Sequence, residues 1–287
     1  MGVLLPSPSY CALVDGLREY GALQGLELHR MRLAESDIQY LADAIKATDG
    51  GLRRLKSLAL DPGNRKFFVK RVSNIHHENE HITCWDPIMV ALASGAPCAP
   101  TLTALELCNG KVTDPVFRTF VRGLAANAFP ALRRLELDGL AIDSPQPKII
   151  VELPRALLTL AANGTPSSLQ HLTLSGKKGL KYCIKMLGRV FEAGGLPCLT
   201  DLSLSDNTYE GSDASFDGWM AQGKQINIKQ LHLAGCTTSL LFSLIEDPAF
   251  CPRLRHLWGS FVNKKDVSTA FEKRRRAIAA KAVAERR

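Results

Sequence analysis

The sequence predicts an α/β solenoid, in which strand–helix units stack so that parallel strands form a concave sheet and helices cover the convex side. Three observations lead to this prediction. The spacing L-x-x-L-x-L recurs along the chain, its copies lie about 30 residues apart, and apolar residues at helical spacing fill the segments between copies. One such unit cannot bury its own leucines, so neighbours must stack on both of its sides.

The strand pattern is clearest in residues 199–207, where Leu199, Leu202 and Leu204 precede Asn207. An Asn side chain can satisfy backbone groups at the bend that ends such a strand. The leucines should point inward from a strand over Leu199 to Ser205. Matching triads begin at seven other positions, the last of them degraded: Leu23, Leu55, Leu102, Leu132, Leu169, Ile228 and Leu254.

One step between copies is much longer than the others. From Leu55 to Leu102 it is 47 residues, which predicts an insertion at residues 61–101. Insertions in repeat proteins fall in loops and often carry binding contacts. The chain then divides into an N-terminal cap (1–22), a solenoid of about eight repeats (23–263) and a basic C-terminal helix (264–287).

This pattern resembles the leucine-rich repeat family, and its long helical repeats are similar to the ribonuclease-inhibitor-like branch of that family. The resemblance covers roughly residues 20–262. The Asn or Cys of the family's turn occurs at Asn207 and Cys236, whereas Gly110 and Leu140 hold that position in other copies. The resemblance implies a binding module, because this fold hosts inhibitors, GTPase activators and structural subunits.

Helices are predicted between the strands from apolar stripes and capping signals. Ser36 or Asp37 should cap the first helix, and Thr113 or Asp114 should cap the third. Pro154 should kink the fourth helix or move its start. The predicted spans are 36–47, 87–93, 115–125, 149–161, 181–193, 239–246 and 266–287.

Composition and charge narrow the class of protein. No apolar run is long enough to span a bilayer and no secretory signal is recognised, so we expect a cytoplasmic protein with no membrane partner. The eight cysteines then favour free thiols over disulfides. No nucleotide-binding or nucleophile-elbow motif is present, which predicts no cofactor and no small-molecule substrate.

The net charge of +8 is concentrated at the C-terminal end. Residues 264–287 hold nine basic and three acidic side chains, which leaves only +2 for the rest of the chain. Three interpretations stay open: a solvated terminal helix, an anchor to RNA or another acidic surface, and a nuclear address. The candidate residues for an anionic partner are Lys273, Arg274, Arg275 and Arg276.

The insertion contains the sequence His77-Glu78-Asn79-Glu80-His81, which matches H-E-x-x-H in its letters. On a helix this spacing lets both histidines ligate zinc. A protease is disfavoured, because Glu80 is charged and Pro87 stands where a third histidine would follow. A structural zinc held by His77, His81 and Cys84 is an alternative to a solvated loop, and we predict no metal.

The concave face carries the strongest functional signal. Side chains alternate along each strand, so residues between the leucines should point outward. The early and middle part of this face is acidic, which favours a basic partner, while the later part ends in histidines and a tryptophan. The candidate protein-binding residues are Glu106, Glu136, Asp138, Asp201, His232, His256 and Trp258.

These observations predict a non-catalytic scaffold or structural subunit that binds a protein through the concave face and the insertion, with the basic tail as a second anchor. Two alternatives remain. The first is an RNA- or ribosome-associated structural subunit held by the tail. The second is a GTPase-activating regulator of the ribonuclease-inhibitor-like type, although those activators typically end in an acidic tail and this one is basic.

Overall fold

The fold was determined as a computed structural model of the 287-residue chain. The structure describes residues 16, 23–29, 33–48, 51–62, 83–144, 146, 149–174, 180–204, 227–233, 245, 253–259 and 264–284. The predicted N-terminal cap is therefore outside the described residues except for Gly16. The predicted helix at 239–246 is outside them except for Ile245, and Asn207 and Cys236 are outside as well.

Parallel strands dominate the architecture and confirm an α/β fold. Eight of them form one sheet whose strand order follows the chain. Its strands are β1 (Gly25–His29), β2 (Ser57–Asp61), β3 (Ala104–Leu107), β5 (Arg134–Leu137), β7 (His171–Leu174), β8 (Asp201–Ser203), β9 (Gln230–Leu233) and β10 (His256–Gly259). A second, two-stranded parallel sheet, which the sequence did not predict, pairs β4 (Lys111–Thr113) with β6 (Ala141–Asp143).

Helices connect and flank the strands. Each of the first five strands of the main sheet is followed by one helix, and these five helices contact one another in chain order. No helix in the described part of the chain is long and apolar enough to cross a bilayer. The helices are α1 (Glu35–Lys46), α2 (Asp86–Ala93), α3 (Asp114–Ala125), α4 (Glu152–Ala162), α5 (Leu180–Glu192) and α6 (Lys264–Ala284).

The core is built on a row of leucines that runs straight across the main sheet. The central leucine of each predicted triad pairs in register with that of the next strand, and each is buried with at most 8% of its surface exposed. Burying a leucine is worth about 1.5–3 kcal/mol, so this row is a main source of stability. Its members are Leu26, Leu58, Leu105, Leu135, Leu172, Leu202, Leu231 and Leu257.

Two helix starts differ from the prediction for identifiable reasons. The cap of α1 is Ala34 rather than Ser36 or Asp37, and the Asp37 carboxylate instead accepts a hydrogen bond of 2.9 Å from the Ala34 amide. Helix α4 begins at Glu152 and not at Ile149, after a 3-10 turn over Ile149–Val151, and a moved start is one of the two effects predicted for Pro154. Pro154 then lies in the first turn of α4, where its missing N–H costs little.

Carboxylates at the first position of two helices bond to the next unit. Asp86 of α2 accepts hydrogen bonds from the Thr113 amide at 2.8 Å and the Thr113 hydroxyl at 2.7 Å. Asp114 of α3 accepts one of 2.6 Å from the Ser144 hydroxyl. Thr113 is the predicted cap of α3, but its hydroxyl is used between units rather than within its own helix. These bonds fix the spacing of neighbouring helices at the edge where β4 and β6 pair.

Helix α6 is attached to the rest of the fold by its first half. Ala270 and Phe271 are buried in the same core as Leu254 and Leu257. Arg274 is only 2% exposed, and its Nη1 donates a hydrogen bond of 3.0 Å to the Ile245 carbonyl oxygen. The helix is therefore held by apolar packing together with a charged hydrogen bond.

Candidate functional site

One face of the main sheet, here called the open face, is formed by the side chains that alternate with the buried leucines. These side chains are exposed or half-buried, except for the small Ala59. The face consists of the described residues at positions 25, 27 and 29 of β1 and their partners on the following strands. Its polar members are Glu27, His29, Ser57, Asp61, Glu106, Asp138, Arg134, Glu136, His171, Thr173, Asp201, Ser203, Gln230, His232 and His256.

The open face is acidic. Its described residues include six carboxylates and one arginine, which gives a net charge of −5 when the histidines are neutral. The carboxylates lie mainly on the first half of the sheet, as the sequence predicted. Four of the six carboxylates are predicted binding residues. The charged side chains of the face are Glu27, Asp61, Glu106, Glu136, Asp138, Asp201 and Arg134.

Arg134 lies between two of the predicted binding residues. Its Nη2 is 2.6 Å from Glu136 Oε1, and its Nε is 2.7 Å from Glu106 Oε1. The Nε contact lacks hydrogen-bond alignment and acts as an ion pair. Both carboxylates are 21% exposed and share this single cation. One arginine cannot neutralise two carboxylates, so the cluster keeps a negative charge that a cationic partner can offset.

The pKa of Glu136 reflects its burial and the crowding of these charges. Burial raises the pKa of its carboxyl above the ordinary value of 4.5, and the nearby Glu106 raises it further. The Arg134 guanidinium opposes both effects without cancelling them. A bound cation at this point would therefore find a carboxylate whose charge is incompletely compensated.

An acidic hollow of about 160 Å³ lies beside this cluster, between the ends of β1, β2, β3 and β5. Asn109, with a positive φ of 50°, turns the chain there and donates from Nδ2 to Asp61 Oδ1 at 2.9 Å. Burial, followed by the charge of Asp138, raises the pKa of Cys108 to about 12. The Cys108 thiol therefore stays protonated at neutral pH and is a poor nucleophile.

A second hollow, of about 330 Å³, lies further along the open face over β7, β8 and β9. Asp201 Oδ2 is 3.3 Å from His171 Nδ1, and the Ser203 hydroxyl is 3.5 Å from His232 Nδ1. In a Ser-His-Asp hydrolase one imidazole lies between the serine and the aspartate. Here Asp201 contacts His171, whereas Ser203 contacts His232. The hollow is better suited to hydrogen bonding a partner than to nucleophilic attack.

The remaining predicted binding residues have different positions. His232 lies in the second hollow, and His256 is exposed at the start of β10. The backbone of Trp258 pairs with His232 in the sheet, but its side chain lies outside the described residues. The sequence did not identify Arg134 and His171 as site residues. Their spacing of two from Glu136 and Thr173 would have placed them on the same face.

The predicted metal candidates are only partly described. His77 and His81 lie outside the described residues. Cys84 is half-buried, and burial raises the pKa of its thiol. Within the described ranges, no group of three His, Cys, Asp or Glu side chains could hold a metal ion. The five cysteines in those ranges are free thiols: Cys84, Cys98, Cys108, Cys183 and Cys198.

In the predicted tail cluster, the four cations do not behave alike. Lys273, Arg275 and Arg276 are exposed, whereas Arg274 is buried and holds α6 to the Ile245 carbonyl. Arg276 also lies 3.6 Å from Glu272 within the helix. Arg274 therefore supports the position of its neighbours, in addition to any contact that it makes with a partner.

Comparison with known proteins does not identify a family. No protein-family model and no curated protein matches the chain. We therefore infer function from the geometry and charge of the open face and of the surface around α6.

Proposed function

We propose that this chain is a non-catalytic leucine-rich repeat protein that binds another protein through the open face of its sheet. In this proposal the strand–helix units form a solenoid and the open face is its concave side. Two observations support it: the L-x-x-L-x-L spacing, which is complete in seven strands and degraded in the eighth, and a parallel sheet whose strand order follows the chain. The protein would act as a scaffold or structural subunit of a larger assembly.

The negative charge of the open face is the observation from which we infer a basic partner. Six carboxylates, one arginine and four histidines project from it, and the Glu106–Arg134–Glu136 cluster is left with excess negative charge. A basic segment, extended across the strands, would supply the missing cations. Complementary charge of this kind sets orientation and association rate more than final affinity.

The size of the open face implies that it is one part of a larger interface. Eight strands about 4.8 Å apart span about 34 Å, and strands of three to five residues are on average about 14 Å long. The projected area is about 480 Å², while a standard interface buries about 800 Å² on each partner. Additional contact must come from adjoining segments, and the insertion at 61–101 follows directly from the edge of the open face at Asp61.

Site-specific crosslinking tests this proposal. A photoreactive phenylalanine analogue at Thr173 would project from the open face, and the same analogue at Lys185 would project from α5 of the same unit. We expect Thr173 to capture one partner whose contact segment is rich in Lys and Arg, and Lys185 to capture none. Equal capture at both positions, or capture at Lys185 alone, would contradict the proposal.

A further inference from the structure

A basic groove lies between α6 and the strands at the end of the main sheet, away from the acidic hollow. Its volume is about 710 Å³. The lining residues come from three separate parts of the chain: the residue before β9, the approach to β10, and the middle of α6. They are Lys229, Arg253, Leu254, Arg255, His256, Phe271, Arg274 and Arg275.

The groove is strongly cationic. Five of its lining side chains are Lys or Arg, and no carboxylate is among the described residues that line it. Within the described part of the chain, no ion pair joins Lys229, Arg253, Arg255 or Arg275 to an acidic side chain. Like charges held together repel one another, so their free energy falls when an anion binds between them.

The backbone that carries these cations is held in place before any anion binds. Phe271 is 6% exposed and packs into the core, and the buried Arg274 bonds to the Ile245 carbonyl one turn later in α6. Arg275 follows immediately and is exposed. The backbone on the strand side is also fixed, because the Arg255 amide donates to the Lys229 carbonyl at 2.8 Å. Binding an anion therefore requires no ordering of the backbone, and only the exposed side chains of Lys229, Arg253, Arg255 and Arg275 must be ordered.

We infer that the basic groove binds the phosphodiester backbone of single-stranded RNA without sequence preference. A nucleic-acid strand carries one charge for each nucleotide, and arginine forks match phosphate oxygens. Phe271 is buried and therefore is not available to stack on a base, so binding would rest on the phosphates, which carry no sequence information. A lipid surface fits less well, because the described exposed side chains of α6 are polar or alanine and offer no apolar group for insertion.

This proposal differs from a simple basic tail, because three of its cations, Lys229, Arg253 and Arg255, lie outside α6. It predicts a measurable salt dependence. If the four exposed cations, Lys229, Arg253, Arg255 and Arg275, each neutralise one phosphate, the logarithm of the affinity should fall with a slope of about −2.8 against the logarithm of salt concentration. The affinity should then drop about 50-fold between 50 and 200 mM salt.

The test is fluorescence anisotropy with a labelled single-stranded RNA of about 16 nucleotides. The variant R253Q/R255Q changes two exposed side chains of the groove, and R53Q/R54Q removes the same charge from two exposed arginines before β2. We expect R253Q/R255Q to halve the slope to about −1.4 and to weaken binding at least tenfold at 50 mM salt. The control should stay within about twofold of the wild type. Circular dichroism confirms that each variant is folded.

Three results would overturn the inference. The first is an equal loss in R53Q/R54Q, which would mean that overall charge is responsible. The second is a loss in R275Q/R276Q with none in R253Q/R255Q, which would place binding on the helix alone. The third is no RNA binding together with binding to phosphatidylserine vesicles. None of these results bears on the open face, because the two surfaces share only His256 and none of the variants changes it.

Discussion

Replacing Gly110 with alanine should destabilise the fold, because the added methyl group has no space. Its Cβ would lie 2.2 Å from Trp85 Nε1, 2.7 Å from Trp85 Cδ1 and 2.8 Å from the Thr83 carbonyl oxygen. Ordinary carbon contacts are about 3.5–4.0 Å, so the overlap with the indole exceeds about 1 Å. The backbone cannot easily shift, since the Lys111 amide bonds to the Thr83 carbonyl and the Trp85 amide bonds to the Lys111 carbonyl, each at 2.8 Å.

The magnitude follows from what must move. Trp85 is fully buried, and its Nε1 donates to the Cys108 carbonyl at 3.2 Å. Overpacking a core costs about 1–3 kcal/mol, and leaving a buried N–H unsatisfied costs about 1–3 kcal/mol more. We therefore expect G110A to lower the free energy of unfolding by about 3 kcal/mol.

Urea unfolding followed by tryptophan fluorescence measures this loss. The matched control is G25A, because a Cβ at Gly25 would meet only the Ser57 Cβ, at 3.9 Å. We expect G25A to stay within about 0.5 kcal/mol of the wild type. A double-mutant cycle isolates the clash: in a W85L background, most of the cost of G110A should disappear. The reasoning is refuted if G110A matches G25A, or if its cost is unchanged in the W85L background.

Three further predictions concern the open face, the bonds between units and the core. The pKa of Glu136 is higher in the folded protein than in the unfolded chain. The protonated carboxyl therefore stabilises the fold fully below pH 4.5, and this stabilisation is lost as the pH rises through the folded pKa. The melting temperature of E136Q minus that of the wild type should therefore increase as pH rises from 4 to 7. A difference that does not change with pH would contradict this. The pKa of Asp114 is instead lowered, first by the Ser144 hydroxyl, so its stabilisation is present above 3.8 and is lost as pH falls through the folded pKa. D114N should lower the melting temperature at pH 7 by more than it does at pH 3, and an equal loss at both would refute the assignment. L135A empties a fully buried position and should cost about 2–5 kcal/mol by urea unfolding, whereas a cost below about 1 kcal/mol would place Leu135 outside the core.

Much of the fold could be predicted from the sequence because its signals are local. The leucine spacing placed the strands, and several helices begin or end within about one residue of their predicted limits, as in α3 and α5. The two-stranded sheet was not predicted. Lys111–Thr113 and Ala141–Asp143 are too short to show a period, and each becomes a strand only because the other lies beside it.

The cap of α1 shows a second limit of local reasoning. Ser36 and Asp37 have the side chains that caps prefer, yet the helix already begins at Glu35. Asp37 stabilises the start from inside the first turn, by accepting the Ala34 amide. Residue preference identified the helix terminus but not the role of each residue within it.

The candidate sites show the same difference between features that local sequence predicts and features that depend on contacts between distant segments. The acidic character of the open face followed from alternation along single strands, so Glu106, Glu136 and Asp138 could be identified. The sharing of Arg134 between Glu106 and Glu136 could not, because it depends on the register between strands about 30 residues apart. The basic groove is harder still to predict from the sequence, since it forms only when α6 lies against the residues before β9 and β10.

Binding of a basic protein segment to the acidic open face can be measured as the affinity for the partner captured at Thr173. The decisive variant is E106Q/E136Q, and the matched control is E35Q/E192Q, which removes the same charge from two exposed glutamates on α1 and α5. Titration calorimetry at low and high salt measures both. We expect E106Q/E136Q to weaken binding at least tenfold at low salt and less at high salt, and the control to bind like the wild type. Unchanged affinity in E106Q/E136Q, or an equal loss in the control, would contradict it.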